Sequence, residues 1–375
     1  MQSILDETKI AGNFKVKDWK ALRYELINNI ELGSNNIEVW KKAWDLFYTR
    51  VNTRFLEPIN RIIENGTKKG EGFTVTAIQC ILIEFLQAFY EGKVYNPSNK
   101  PNKPNEYKSS RGMYIRFLHK QLPFCRYFTK DLAKGFYTNI RCGLLHEAST
   151  KETSVIKSEH EDMIIESIDK SNMILYRTNF QEALIKYLKL YKENLFQTRE
   201  LKINFIRKFD EIAGINNIYY FAYGSNMDKQ NLDNWCKENN KPLVHIFSIQ
   251  TCILRNFQLR FNYYSKRRDA GAANIMKSQD DCVYGLLLEI NKQDMNVIHY
   301  KEGVPEFYNE FNIKVELLNK AEVTEVSTFK VTKEKEKSEH VPPKREYIES
   351  MIQIAKFYNF PEDYVYYLNN IKTNS

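Results

Sequence analysis

Apolar side chains in the first 210 residues recur at steps of three and four, the spacing that places them on one face of a helix. Residues 37–63 carry one such stripe. Residues 74–92 are apolar on most sides, which predicts a helix at the centre of a bundle. Helical spacing returns in three further stretches, at 113–121, 130–148 and 181–209. The pattern predicts a mainly helical N-terminal domain.

Two segments interrupt this helical pattern. Residues 96–112 contain three prolines among many Asn and Lys residues, which predicts a loop. Residues 163–176 form two short apolar runs around Asp169–Asn172, which predicts a β-hairpin.

The pattern changes to alternating apolar and polar positions after about residue 212. Alternation of this kind predicts β-strands, here in four runs, at 218–223, 257–264, 282–290 and 311–318. A charged loop is expected at 334–343, followed by closing helices. We therefore predict an α+β protein with a helical domain over 1–210 and a second domain over 211–375, and we place the boundary within 205–217.

Composition indicates a globular chain, with 43% hydrophobic and 27% charged residues. We find no apolar run of the ~20 residues that a bilayer span needs, and no basic start followed by an apolar core as in a secretion signal. The six cysteines lie far apart without a C-x-x-C pair. We expect reduced thiols, a cytoplasmic location, no membrane association and no metal bound through cysteine.

Net charge is +8, and the excess of basic residues lies in the first 210 positions. Residues 93–141 alone hold eleven Lys and Arg residues against two acidic ones, Glu106 and Asp131. Such a local excess favours a phosphate-bearing partner such as RNA. The alternative is an ordinary solvated surface.

The stretch IYYFAYGSNM at 218–227 combines a buried-strand pattern with a small polar turn. A strand that ends there and enters a helix exposes backbone N–H groups at the positive end of the helix dipole. Gly224 allows close approach of the backbone, and Ser225 or Asn226 can cap the helix. Such a turn can hold a carboxylate or stabilise a carbonyl oxygen that gains charge.

FAYGSNM at 221–227 resembles the signature of the γ-glutamylcyclotransferase-like (AIG2-like) family. Four later segments resemble further family motifs in the same order: an arginine-rich strand with a glycine-alanine-asparagine stretch at 254–275, a Val-x-Gly strand at 283–290, the helix end with the catalytic glutamate at 298–308, and the C-terminal tyrosine segment at 342–364. The resemblance covers about 218–370.

This resemblance implies a small α+β barrel that releases 5-oxoproline from a γ-glutamyl amine. It implies Glu302 as the acid/base and the loop Tyr223, Gly224, Ser225 and Asn226 as the substrate-binding element. The partner would be a small γ-glutamyl or glutamyl-like molecule. Attack of the substrate's own α-amine on its γ-carbonyl needs no enzyme nucleophile, metal or organic cofactor.

Three tyrosines, Tyr308, Tyr347 and Tyr364, are expected in the core, and Tyr308 is the candidate among them for lining the substrate pocket. The family usually carries an aspartate three residues before the glutamate, where this chain has His299. The loop Tyr263–Asp269 is rich in Tyr and Arg, which favours a substrate other than glutathione. One alternative is a barrel that binds a glutamyl-like ligand without turnover.

Arg141 and His146 lie five positions apart near the end of a predicted helix. On an ideal helix five steps offset two side chains by about 140°, so they do not share a face. The spacing resembles the R-x(4–6)-H motif of HEPN domains, with a resemblance over about 38–205. That family's helical bundles often dimerise to assemble a ribonuclease site.

The HEPN resemblance implies that Arg141 and His146 act on RNA bound at residues 93–146, and that the helical domain forms a homodimer. His146 would move a proton and Arg141 would stabilise charge on the phosphate. The second hypothesis is therefore an RNA-cleaving effector of a toxin or phage-defence system, regulated by the C-terminal domain. The plain alternative is a chance spacing in which His146 braces a helix end.

Overall fold

The chain was analysed as a computed structural model, which describes residues 4–31, 36–67, 69–98, 105–318 and 322–374. It divides into two compact units between Gly214 and Ile215. We call the unit before this point the helical unit and the unit after it the barrel unit.

The helical unit is built from α-helices with a few short strands. Its strands are β1 Lys9–Ala11, β2 Phe14–Lys15, β3 Val94–Tyr95, β4 Glu106–Tyr107, β5 Val155–Lys157, β6 Ile165–Ser167 and β7 Met173–Tyr176. Its helices are α1 Val16–Glu31, α2 Ile37–Val51, α3 Glu57–Asn65, α4 Glu71–Glu91, α5 Arg111–Lys120, α6 Lys130–Gly135, α7 Cys142–Glu147, α8 Arg177–Gln197 and α9 Arg199–Ile212. Two π-helical turns, Asn52–Leu56 and Phe136–Arg141, connect α2 to α3 and α6 to α7.

Aromatic rings fill the core of the helical unit. Phe89 of α4 contacts Phe47 of α2 at 4.8 Å and Phe209 of α9 at 5.1 Å between ring centroids. Trp19 of α1 contacts Phe209 at 4.7 Å. By length and composition alone α4 could cross a membrane, contrary to the sequence expectation, but 56% of its most apolar window is buried inside the protein. This burial is typical of a core helix.

The hairpin predicted at 163–176 is confirmed, since β6 and β7 pair antiparallel and Asp169 Oδ1 accepts hydrogen bonds from the Ser171 and Asn172 N–H groups at 2.7 and 2.8 Å. The prediction missed β5, which pairs parallel with β7. The prediction of one helix over 181–209 is wrong. Thr198 adopts an extended conformation (φ −103°, ψ 115°) between α8 and α9, so two helices form there.

The barrel unit is a closed five-stranded barrel with four α-helices among its described residues. Its elements are β8 Asn217–Ala222, α10 Lys229–Glu238, β9 Ile246–Ser265, β10 Ala270–Asn291, α11 Met295–Glu302, β11 Tyr308–Leu317, β12 Glu322–Val331, α12 Arg345–Phe357 and α13 Glu362–Asn369. The strand order is β10, β8, β12, β11, β9. β12 and β8 pair parallel, and the other neighbours pair antiparallel.

Side-chain hydrogen bonds lock the barrel where its strands meet. Thr328 Oγ1 of β12 donates to the Phe221 carbonyl of β8 at 2.9 Å. Asn274 is fully buried, and its Oδ1 accepts from the Val331 N–H at 3.0 Å. Gly271 is required because a Cβ there would lie 1.9 Å from the Val341 carbonyl oxygen. The glycine-alanine-asparagine stretch therefore connects β10 to β12 and to the segment after β12.

The four predicted strands are present, and the structure extends two of them. β9 and β10 are 20 and 22 residues long and pair along most of their length, because one tight turn connects them. The prediction missed β12, the parallel partner of β8. The barrel thus depends on a strand that the sequence pattern did not predict.

Candidate functional site

One cavity of about 730 Å³ lies in the barrel unit. Its wall combines the turn after β8, the turn between β9 and β10, the end of α11 and the start of β11. Every residue proposed for the C-terminal site from the sequence lines it, namely Tyr223, Gly224, Ser225, Asn226, Glu302 and Tyr308. The turn and the glutamate, 76 positions apart, therefore face the same space.

The sequence predicted that the turn after β8 leads directly into a helix, and this prediction is wrong. Ser225–Met227 forms a single 3₁₀ turn, and α10 begins at Lys229. The predicted capping by Ser225 or Asn226 is wrong, because the Asp228 side chain caps α10 by accepting from the Asn231 N–H at 3.0 Å. The Ser225 and Asn226 side chains are therefore used elsewhere in the site.

Two N–H groups of this turn, those of Gly224 and Asn226, take no part in the turn and loop backbone hydrogen bonds of the described residues. A Cβ on Gly224 would lie 2.8 Å from the Tyr347 hydroxyl oxygen, so glycine is needed for close packing rather than for an unusual φ, which is −131°. Tyr347 thus supports the turn from α12.

Asn226 connects the turn to Glu302, the last residue of α11. The Asn226 side chain is 3% exposed, and its Nδ2 donates to Glu302 Oε1 at 2.7 Å and to the Tyr220 hydroxyl at 2.8 Å. Lys301 Nζ donates to Asn226 Oδ1 on the other side of the amide. The helix ends at Gly303 with φ 66°, which turns the chain after Glu302. The carboxylate is thus held by a hydrogen-bonded amide.

Three cations, Lys301, Arg267 and Arg268, line this end of the cavity. Lys301 is 7% exposed, and burial lowers its pKa to about 8, while Glu302 opposes the shift. Arg268 Nη2 donates to Ser225 Oγ at 2.9 Å, and its guanidinium lies 4.6 Å from the Tyr347 ring centroid. Arg267 lies 5.7 Å from the ring centroid of Trp235, and burial lowers its pKa. This end of the cavity favours an anionic ligand.

The sequence predicted an inward Lys301 only as a neighbour that could lower the pKa of Glu302, and it assigned no role to Arg267 or Arg268 individually. The Tyr- and Arg-rich composition of Tyr263–Asp269 marked the loop that contains Arg267 and Arg268. Composition alone could not predict that either side chain points into the cavity. Trp235 of α10, which also lines the cavity, had no signal in the sequence patterns.

Two buried tyrosines of the cavity donate to backbone oxygens. The Tyr223 hydroxyl donates to the Phe329 carbonyl at 2.7 Å, and the Tyr308 hydroxyl donates to the Ala273 carbonyl at 2.8 Å. Burial raises the pKa of both phenols well above the usual value, so both stay neutral. Tyr308 and Tyr347 line the cavity, whereas Tyr364 packs against Tyr284 at 5.0 Å between ring centroids.

His299, at the position of the family aspartate, lies outside the cavity lining. Its Nε2 is 2.8 Å from Glu310 Oε2, and its ring meets the Phe329 ring edge-on at 5.6 Å. His299 therefore braces α11 against β11. Within the residues that the structure describes, no group of three or more His, Cys, Asp or Glu side chains is placed to hold a metal ion.

Within the described part of the helical unit, no hydrogen bond or ring contact joins Arg141 to His146. The Arg141 guanidinium lies 5.4 Å from the Tyr137 ring centroid and 5.8 Å from that of Tyr114. His146 is exposed in the last turn of α7. The angular offset predicted for Arg141 and His146 assumed an ideal α-helix, whereas Arg141 ends a π-helical turn. Their action on RNA in a homodimer stays a prediction.

The comparisons with known proteins concern the C-terminal part of the chain. The model of the AIG2-like family matches residues 282–368. A γ-glutamylcyclotransferase of Bos taurus is 28% identical over 160 residues, which are 41% of this chain and 79% of the bovine protein. The Mus musculus γ-glutamylcyclotransferase is 28% identical over 162 residues, with the same coverages.

A solved structure of a γ-glutamyl cyclotransferase is 26% identical, with a TM-score of 0.36, and the match covers 43% of this chain and 90% of that protein. Together, the family match and the sequence similarity support the AIG2-like, or γ-glutamylcyclotransferase, family for the C-terminal part of the chain. The HEPN resemblance of the first 210 residues stays a prediction.

Proposed function

We propose that the barrel unit is a γ-glutamyl cyclotransferase that releases 5-oxoproline from a γ-glutamyl amine, with Glu302 as the acid/base. The observation that carries this proposal is the 2.7 Å hydrogen bond from Asn226 to Glu302 inside a cavity of about 730 Å³. Sequence similarity to two γ-glutamylcyclotransferases supports it.

In the proposed reaction, the α-amine nitrogen of the glutamyl group attacks its own γ-carbonyl carbon. A new C–N bond closes the five-membered lactam, and the amide bond to the leaving amine breaks. One of the three ammonium hydrogens stays on the lactam nitrogen, and two reach the leaving nitrogen. Glu302 carries these two protons one after the other from the attacking nitrogen to the leaving nitrogen, so the carboxylate is regenerated after each transfer.

The turn after Tyr223 supplies groups suited to the charge that develops on the γ-carbonyl oxygen. The N–H groups of Gly224 and Asn226 donate none of the turn and loop backbone hydrogen bonds of the described ranges, and we assign them as the oxyanion donors. Arg268, fixed on Ser225, supplies positive charge for the substrate's α-carboxylate. The buried wall holds the substrate folded, which promotes intramolecular attack.

A blocked substrate tests the proposed reaction without altering the protein. We expect the purified full chain to release 5-oxoproline from γ-glutamyl amides whose leaving amines range from small amines to amino acids, as measured by mass spectrometry. N-acetylated forms of the same amides should give none, because acetylation removes the nucleophilic amine. The α-glutamyl isomers serve as a further control. Absence of 5-oxoproline from the whole panel, or equal release from the acetylated forms, would contradict the proposal.

A further inference from the structure

Lys301 lies beside Glu302 in the last turn of α11, with its side chain directed to the turn after β8. Its Nζ donates to Asn226 Oδ1 and lies 3.4 Å from Ser225 Oγ. The ammonium is also 5.9 Å from the Trp235 ring centroid. Lys301 is 93% buried and has therefore lost most of its hydration. Its ammonium depends on the polar groups of the turn for hydrogen bonds.

The ammonium determines how the Asn226 amide is oriented. An amide has an accepting end and a donating end of similar size, whereas an ammonium can only donate. Lys301 therefore holds the amide oxygen, and the NH₂ group is left to face Glu302 and the Tyr220 hydroxyl. If the amide turned over, its oxygen would face the Glu302 carboxylate, and two acceptors would meet.

We propose that Lys301 is a positioning residue, whose ammonium fixes the Asn226 amide and through it the Glu302 carboxylate. This inference rests on the proposed cyclotransferase function for its effect on turnover. From the sequence, Lys301 is a neighbour of Glu302 that could lower the pKa of the glutamate if its side chain turned inward, and the resemblance to known cyclotransferases assigns it no positioning role.

The charged and titratable groups around Lys301 come from three elements. Glu302 lies on the same helix, Arg267 and Arg268 lie in the turn between β9 and β10, and Cys236 lies on α10. Burial lowers the pKa of Lys301 to about 8, the two guanidiniums lower it further, and Glu302 raises it. Burial raises the pKa of the Cys236 thiol, which keeps this thiol neutral near pH 8. As the pH rises through about 8, the ammonium becomes a neutral amine that can accept as well as donate, so it no longer fixes the orientation of the Asn226 amide.

Turnover of γ-glutamyl amides by Lys301→Met and Lys301→Arg tests the proposal. Loss of a charge-assisted hydrogen bond that orients the site should lower kcat of Lys301→Met by about 10- to 100-fold, with a KM change below about 3-fold. Lys301→Arg keeps the charge and should retain more activity. Lys237→Met, an exposed lysine in the last turn of α10, is the matched control. Thermal unfolding verifies that each variant is folded.

The pH profile separates positioning from general support of the fold. Wild-type kcat should fall as the pH rises through about 8, Lys301→Met should lack this step, and Lys301→Arg should move it to higher pH. The substrate amine is the same in all three proteins, so it cannot cause the difference. Unchanged kcat in Lys301→Met, or an identical alkaline step in all three proteins, would overturn the proposal.

A spectroscopic measurement keeps the inference testable if no γ-glutamyl amide is turned over, which would defeat the proposed function alone. In the full chain labelled with ¹⁵N at asparagine, the Asn226 side-chain amide signals should shift with an apparent pKa of about 8. They are assigned by their loss in Asn226→Ala. In Lys301→Met this shift should vanish. A shift that persists without Lys301 would refute the orienting role.

Discussion

Replacement of Asn226 by alanine removes the side chain that connects the turn, the carboxylate and the buried lysine. The amide donates to Glu302 Oε1 and to the Tyr220 hydroxyl, and accepts from Lys301 Nζ. Two of these three partners are charged. Alanine deletes all three contacts without adding bulk to the turn.

The size of the effect follows from the charges of the partners. A hydrogen bond to a charged group contributes about 1.5–3 kcal/mol, and a neutral one contributes about 1 kcal/mol. Since Glu302 and Lys301 can partly re-pair once the amide is gone, we expect the free energy of unfolding of the barrel unit to fall by about 2–4 kcal/mol. About 3 kcal/mol of lost positioning corresponds to a decrease in kcat of about 100-fold.

The assay combines denaturant unfolding with 5-oxoproline release at a temperature where each variant is fully folded. Asn274→Ala is the matched control, because Asn274 is also buried and its Nδ2 donates to Asn262 Oδ1 at 3.0 Å within the barrel. Both variants should lose stability, but only Asn226→Ala should lose kcat. Wild-type kcat in Asn226→Ala, or an equal loss of kcat in both variants, would contradict a positioning role of Asn226.

Two further predictions concern packing around the turn and the stability of the helical unit. Gly224→Ala should lower turnover at least 10-fold, since its Cβ would lie 2.8 Å from the Tyr347 hydroxyl oxygen. Tyr347→Phe removes that oxygen, so the double variant should regain part of the lost turnover. No gain in the double variant would contradict the steric explanation. Asp210→Asn should lower the free energy of unfolding of the helical unit by about 3 kcal/mol, because Asp210 Oδ1 accepts from both Trp19 Nε1 at 2.9 Å and Arg23 Nε at 2.8 Å. Denaturant unfolding followed by tryptophan fluorescence measures this loss of stability, and an unchanged unfolding midpoint would contradict the prediction.

Periodicity revealed the elements that have one buried face or a distinctive turn. The stripe over 37–63 corresponds to α2 and α3, because apolar residues at helical steps have to share a core. The hairpin at 163–176 was predictable because Asp169 forms local hydrogen bonds that its sequence neighbours specify. The proximity of the Tyr223–Asn226 turn and Glu302 came from ordered motifs, since no local pattern relates residues 76 positions apart.

Features set by tertiary contacts were not predictable from patterns. The residues on both sides of Thr198 are helix formers, so nothing local indicates the break between α8 and α9. Ser, Asn and Asp are all good N-cap residues, so residue type alone does not indicate which of Ser225, Asn226 and Asp228 caps α10. In the structure the cap is Asp228. The inward direction of Lys301 depends on the acceptor that Asn226 presents, which only the folded barrel creates.

The central claim is that Glu302 transfers the proton in ring closure. Glu302→Gln keeps the shape of the side chain but removes the base, whereas Glu310→Gln removes a carboxylate that contacts His299 outside the cavity lining. The decisive measurement is the rate of 5-oxoproline release by these two variants and the wild-type chain from the same γ-glutamyl amide. The acid/base role of Glu302 predicts a loss of about 100- to 10,000-fold for Glu302→Gln and a near wild-type rate for Glu310→Gln. Release by Glu302→Gln at the wild-type rate would contradict it.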